Sequence, residues 1–203
     1  AKNEIWILKL DSAGDYVWAK ASSCPGSAGA YRPPGSDRGL AVDDSGNVYA
    51  VGSFTQEHYN DSYDCDFDPG PGEGFAHVGG TSNHGNGLVW KLDSSGNYQW
   101  AKAFLKTAPF DSVEALSVAV DGSGNVYTAG RFLGPTDFDP GAGTATLTGG
   151  PYSGNYSAFL SKLDSSGDYV WAKQVGTLTG SQSGRQVALD GSGNVYFSGF
   201  LNY

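Results

Sequence analysis

The sequence predicts an all-β fold of repeated antiparallel hairpins, and three observations predict it: a glycine-rich composition and two interleaved motifs, each occurring three times. The 31 glycines and the absence of methionine depart from an average globular composition and disfavour helix. Lys9-Leu10-Asp11-Ser12-Ala13-Gly14-Asp15-Tyr16-Val17-Trp18-Ala19-Lys20 returns as residues 91–102 and 162–173. Between these copies, Ala41-Val42-Asp43-Asp44-Ser45-Gly46-Asn47-Val48-Tyr49 returns as residues 119–127 and 188–196. Self-similarity of this kind is a stronger guide to architecture than any local motif.

Each motif reads as two short strands around a corner, where glycine takes the positive φ that a tight hairpin requires. The flanking residues, such as Ile5-Trp6-Ile7-Leu8, Tyr169-Val170-Trp171 and Asn194-Val195-Tyr196-Phe197, are the β-branched and aromatic types that suit a half-buried pleated surface. Hairpins are expected near residues 5–20, 40–54, 88–102, 116–132, 158–173 and 186–200, with long loops at 55–86 and 133–157. Two hairpins make a four-stranded sheet whose faces cannot be buried alone, and radial stacking into a β-propeller solves that problem. With strands labelled A to D outward from the axis, the order is C-D, A-B-C-D, A-B-C-D, A-B. The single array over 1–203 thus holds about three blades' worth, beginning at strand C and ending at strand B. A usual propeller has about four to eight blades, so the expectation is a fragment of a longer chain or copies that complete a ring together. Two chains would make six blades, and head-to-tail joining gives a ring or a filament according to whether the rotation closes.

The alternation of Lys-Leu-Asp, Ser-Gly, Trp-Ala-Lys with Ala-Val-Asp, Ser-Gly-Asn-Val-Tyr resembles the bacterial seven-bladed β-propeller repeat family, over nearly the whole chain. That resemblance implies a large secreted or surface-attached bacterial protein, hence an extracellular or cell-surface setting. It implies a scaffold or binding role and supplies no catalytic residue.

The formal charge of −9 and a pI near 4.5 give a surface that repels polyanions, so no nucleic-acid partner is expected. No apolar run of about 18 residues is present to form a membrane-spanning helix. The chain opens at Ala1, consistent with processing or with a piece of something longer. Cys24 falls in the first D-A connection and Cys65 in the following B-C connection, on the same face as the long loops, which makes a disulfide plausible in an oxidising setting; two unrelated thiols are the alternative. Asn60 and Asn155 each begin an N-glycosylation triplet and serve here as surface-loop markers.

Long loops on a rigid scaffold are where binding usually resides. Both carry Asp-Phe-Asp-Pro-Gly, as residues 66–70 and 137–141. Asp64, Asp66 and Asp68 form an Asp-x-Asp-x-Asp spacing that suits calcium, with Asp137 and Asp139 a weaker second copy; Phe75 stands where an EF-hand would place its glutamate. The competing and favoured reading is an extended segment with Phe67 and Phe138 inward, aspartates to water and Pro-Gly turning. His58, His77 and His84 match no zinc spacing. Trp18, Trp100 and Trp171 recur at one position of strand D and read as packing between blades, whereas Tyr31, Tyr59, Tyr63, Tyr152 and Tyr156 cluster in the loops as a binding surface. No nucleophile elbow, phosphate loop or metalloprotease helix occurs, so no catalytic residue is assigned and the chain reads as a non-enzyme. The expected function is a structural scaffold that self-associates through its terminal hairpins; a carbohydrate- or protein-binding propeller is the alternative, and a glycan-active enzyme comes last.

Overall fold

The structure, a computed structural model, describes residues 5–23, 39–54, 65–76, 85–108, 111–151, 154–176 and 180–202. Among them all regular structure is β-strand, laid down as hairpins: β1 (Trp6–Leu10) with β2 (Tyr16–Ala21), β3 (Leu40–Val42) with β4 (Val48–Phe54), β5 (Cys65–Asp66) with β6 (Phe75–Ala76), and β7 (Asn86–Leu92) with β8 (Tyr98–Lys106). The chain continues through β9 (Ser112–Val120) with β10 (Val126–Leu133), β11 (Pro135–Asp137) with β12 (Thr146–Thr148), β13 (Ser157–Leu163) with β14 (Tyr169–Val175), and β15 (Ser181–Leu189) with β16 (Val195–Asn202). Two sheets repeat one hydrogen-bonded order, β3-β4-β7-β8 and β9-β10-β13-β14, all antiparallel. Ahead of them stands the β1-β2 hairpin alone, and after them the β15-β16 hairpin alone.

The six expected corners form as the sequence requires. Gly14, Gly46, Gly96, Gly124, Gly167 and Gly193 all take φ between 78° and 87°, the left-handed region that a side chain would strain. The aspartate opening each corner holds it: Asp121 Oδ1 accepts the amides of Ser123 and Asn125, and Oδ2 accepts the Asn125 side-chain amide and the Tyr127 hydroxyl. Such local side chain to backbone bonds fix a turn against competing conformations. They also tune the carboxyl groups. For Asp121 burial pushes its pKa up, but the bonds from Asn125, Ser123 and Tyr127 outweigh this and leave it below the ordinary value of 3.8. Asp43 behaves alike; at Asp93 the backbone amide of Asn97 leads, and at exposed Asp190 the side-chain amide of Asn194 leads.

Successive sheets pack face to face through three apolar clusters. Ile5, Ile7 and Trp18 of the first hairpin meet Val48, Ala50, Leu88, Trp90 and Leu92. Tyr49, Val51, Val89 and Phe104 meet Val113, Val118, Phe132, Phe159 and Leu163. Tyr127, Ala129, Leu160 and Trp171 meet Val187, Val195 and Phe197. Period-two alternation explains the partition: along β7, Leu88, Trp90 and Leu92 face the preceding sheet and Val89 the following one. Each β-hairpin of the Lys-Leu-Asp type carries one irregularity, between Lys9 and Leu10, Lys91 and Leu92, Lys162 and Leu163. This bulge lets Tyr98 and Trp100, two residues apart, serve opposite faces.

The sequence reading has long loops at 55–86 and 133–157, each with an extended segment turned by Pro-Gly; the structure adds that these segments pair as strands. Each contains a short hairpin that reaches back to the preceding sheet. β11 pairs with β8 through Thr136 opposite Lys106 and Asp137 opposite Leu105, so β11 and β12 extend that sheet to six strands. The first copy does the same to the hairpin before it: the Ser23 and Asp66 amides and carbonyls exchange two hydrogen bonds, at 2.7 and 2.8 Å. An outermost strand presents unpaired amides and carbonyls, and each of these clips covers part of such an edge.

Candidate functional site on the open terminal hairpins

The two complete sheets share one polar-aromatic arrangement across neighbouring strands. Tyr49 on β4 lies opposite Lys91 on β7, which lies opposite Trp100 on β8. The Lys91 ammonium sits 5.1 Å from the Tyr49 ring centre and 5.8 Å from Trp100, and the two rings meet edge to face at 6.2 Å. Tyr127, Lys162 and Trp171 repeat it, with Lys162 at 4.8 Å from the Tyr127 ring and the rings again 6.2 Å apart. Lys162 also approaches Asp121 at 3.9 Å. In both copies the tyrosine hydroxyl is tied to the corner aspartate, at 3.0 Å for Asp43 and 3.2 Å for Asp121. Burial, followed by the hydrogen bond to Asp43 and its charge, pushes the Tyr49 phenol well above its ordinary pKa.

The terminal hairpins each hold part of this arrangement. Lys9 on β1 lies opposite Trp18 on β2, and both donate to the Ser94 carbonyl, at 2.8 and 3.3 Å, as Lys91 and Trp100 donate to the Ser165 carbonyl. Tyr196 on β16 donates to Asp190 at 3.1 Å, as its counterparts do to their aspartates. Tyr49 and Tyr127 are 0% and 4% exposed, whereas Tyr196 is 59% exposed. The faces around these residues are open as well. On the first hairpin Trp6, Leu8 and Leu10 are exposed, although their counterparts Leu88, Trp90 and Leu92 are fully buried; Tyr16 is exposed too, where its counterpart Tyr98 is half-buried. Leu40 and Val42 on β3 are exposed, and on β16 so is Phe200 beside Tyr196. A groove of about 400 Å³ runs along β1, lined by Ile5, Trp6, Leu8, Gly39, Leu40 and Ala50 among others. Exposed apolar surface is where interaction sites are sought.

The residues singled out from sequence are placed as follows. Phe67 and Phe138 are fully buried; Phe67 packs on Trp90 at 5.8 Å, and Phe138 on Phe104, Phe132 and Phe159 at 4.8 to 5.4 Å. The aspartates beside them are not simply turned to water. Asp66 Oδ1 accepts the amides of Asp68 and Gly74, and Asp68 Oδ1 accepts that of Gly70; Asp137 and Asp139 do the same with Asp139, Ala145 and Gly141. Their oxygens therefore shape the clip turn. No group of three or more metal-ligating side chains stands together among the described residues, and Asp64, His58, His77 and His84 lie outside them. Cys65 is buried and disulfide-bonded; Cys24 lies outside the described residues, one position beyond the Ser23 that pairs with Asp66. Tyr156 covers the Arg131 guanidinium at 4.5 Å, and Arg131 forms a bidentate pair with Glu114; Asn155 beside it is half-buried, and Tyr31, Tyr59, Tyr63, Tyr152 and Asn60 lie outside the described residues. Trp18, Trp100 and Trp171 pack against the following sheet, as the repeat position indicated, while Trp90 is sealed in the first cluster and Trp6 is exposed.

No protein-family model and no curated protein matches this chain.

Proposed function

We propose that the chain is a non-catalytic, extracellular scaffold of β-propeller type, whose open terminal hairpins join it to further copies in a ring, filament or surface layer. The observation behind this reading is that, among the described residues, β1 and β16 each pair on one side only and apolar residues on the faces of both hairpins are exposed. In propeller terms β1-β2 is a C-D half-blade and β15-β16 an A-B half-blade. Two chains complete six blades, within the usual range of about four to eight. A disulfide joining Cys24 to Cys65 belongs to the same reading, since Cys65 is bonded and the chain has two cysteines. It would fasten the first clip to the strand it covers.

The test is native mass by light scattering and negative-stain microscopy. Discrete species at twice the 21.2 kDa chain mass or more, or filaments, are expected. A chain that stays at 21.2 kDa at the highest soluble concentration would sink the scaffold reading.

A further inference from the structure

We infer that the first clip, β5-β6, is a thiol-released latch: a dithiol reductant that opens the Cys65 disulfide frees this hairpin from the edge of β1-β2, while the second clip, β11-β12, stays closed. The two clips dock at equivalent places. Asp66 lies opposite Ser23 and Asp137 opposite Leu105, and Ser23 follows Trp18 at the same interval as Leu105 follows Trp100. One position along each clip, Cys65 corresponds to Thr136, and Thr136 faces Lys106, whose counterpart in the first copy is position 24. Ser23 and Asp66 exchange both backbone hydrogen bonds, so the next pair in that register is of the non-hydrogen-bonded kind, with Cα atoms about 4.5 Å apart. A disulfide spans roughly that separation. Cys65 is disulfide-bonded and the chain's other cysteine is Cys24. The covalent link thus takes, in the first clip, the place that Thr136 and Lys106 hold in the second.

What holds the two clips apart from that place differs. β11 and β12 pair through three residues, and the Thr107 amide and hydroxyl both donate to the Pro135 carbonyl at 3.1 Å. Gly134 adds bonds with Gly149 and Gly150, and Phe138 packs on Phe104, Phe132 and Phe159. β5 and β6 pair through two residues, and among the described residues one backbone bridge, Ser23 with Asp66, joins them to the first hairpin. Phe67 adds its contact with Trp90. So short a hairpin does not hold by itself, and the link is what keeps it seated. A thiolate of the dithiol attacks one sulfur of the bond, and its second thiol resolves the mixed disulfide. The reductant leaves as a disulfide, and two electrons and two protons pass to the cysteines. Phe67 is then free to leave the cluster it shares with Trp90 and Leu88, uncovering an apolar socket.

The experiment is hydrogen exchange read by mass spectrometry on the full chain, untreated and after dithiothreitol, with thiol counting and circular dichroism alongside. The untreated chain is expected to show no free thiol. After reduction the amides of residues 65–76 are expected to exchange faster by roughly thirtyfold or more, as release of a cross-link of ordinary strength allows. Those of residues 135–148 are expected to change by less than about twofold, as independent sites do. The double variant Cys24→Ser with Cys65→Ser is expected to give the reduced pattern without any reductant. Free thiols in the untreated chain, unchanged exchange at residues 65–76, equal loosening of both clips, or loss of the whole β spectrum on reduction would each overturn the latch.

Discussion

Tyr127 and Tyr196 occupy the same repeat position, make the same bond to a corner aspartate and follow the same Ser-Gly-Asn-Val, yet one is 4% exposed and the other 59%. The difference teaches that the hairpin is a local product while burial belongs to the neighbour. Corner, strand and hydroxyl anchor all form at the β15-β16 hairpin, and among the described residues no lysine and tryptophan stand beside Tyr196 as Lys162 and Trp171 stand beside Tyr127.

The costliest substitution is expected where a clip fills the core. Phe138→Ala removes a ring packed on Phe104, Phe132 and Phe159. It is expected to cost about 3–5 kcal/mol in denaturant unfolding. Next comes the paired comparison itself: Tyr127→Ala is expected to cost about 3 kcal/mol, whereas Tyr196→Ala should cost about 1 kcal/mol or less. Equal costs would mean that Tyr196 is buried in the isolated chain. The corners should not discriminate between the two regions. Gly124→Ala and Gly193→Ala both force a side chain into the left-handed region, at φ 78° and 81°, and each is expected to cost about 1–2 kcal/mol.

The smallest effect is expected with pH. Asp43, Asp93, Asp121 and Asp190 all have pKa values lowered from 3.8 in the folded chain. A depressed carboxyl pKa contributes stability that is fully present above the unfolded value and lost as pH falls through the folded one. Melting temperature should therefore hold steady above pH 5 and decline below about pH 4. In an Asp121→Asn variant the part of that decline due to Asp121 should vanish.

The repeats made the hairpins, their order and the corner glycines legible, because period-two patterning and the Asp-x-Ser-Gly-Asn corner are short-range signals. The clips were not legible. β5, β6, β11 and β12 are two or three residues long, and β11 joins β8, well upstream, rather than the sheet of its chain neighbours β10 and β13. A signal was present nonetheless in the pairing of buried Phe67 and Phe138 with the aspartates on either side of each. The same aspartates suggested cation ligands because an oxygen that accepts backbone amides and one that accepts calcium require the same residue type; only the loop's own hydrogen bonds separate the two.

Each clip is encoded in the connection between the second and third strands of one sheet yet closes the outer edge of the sheet before it. A sheet is therefore sealed only after the chain has run some forty residues past its last strand, through Thr148 for the sheet that ends at Lys106. During synthesis the array would ratchet forward from its first hairpin, every new unit locking its predecessor and leaving its own flank to be locked by whatever emerges next.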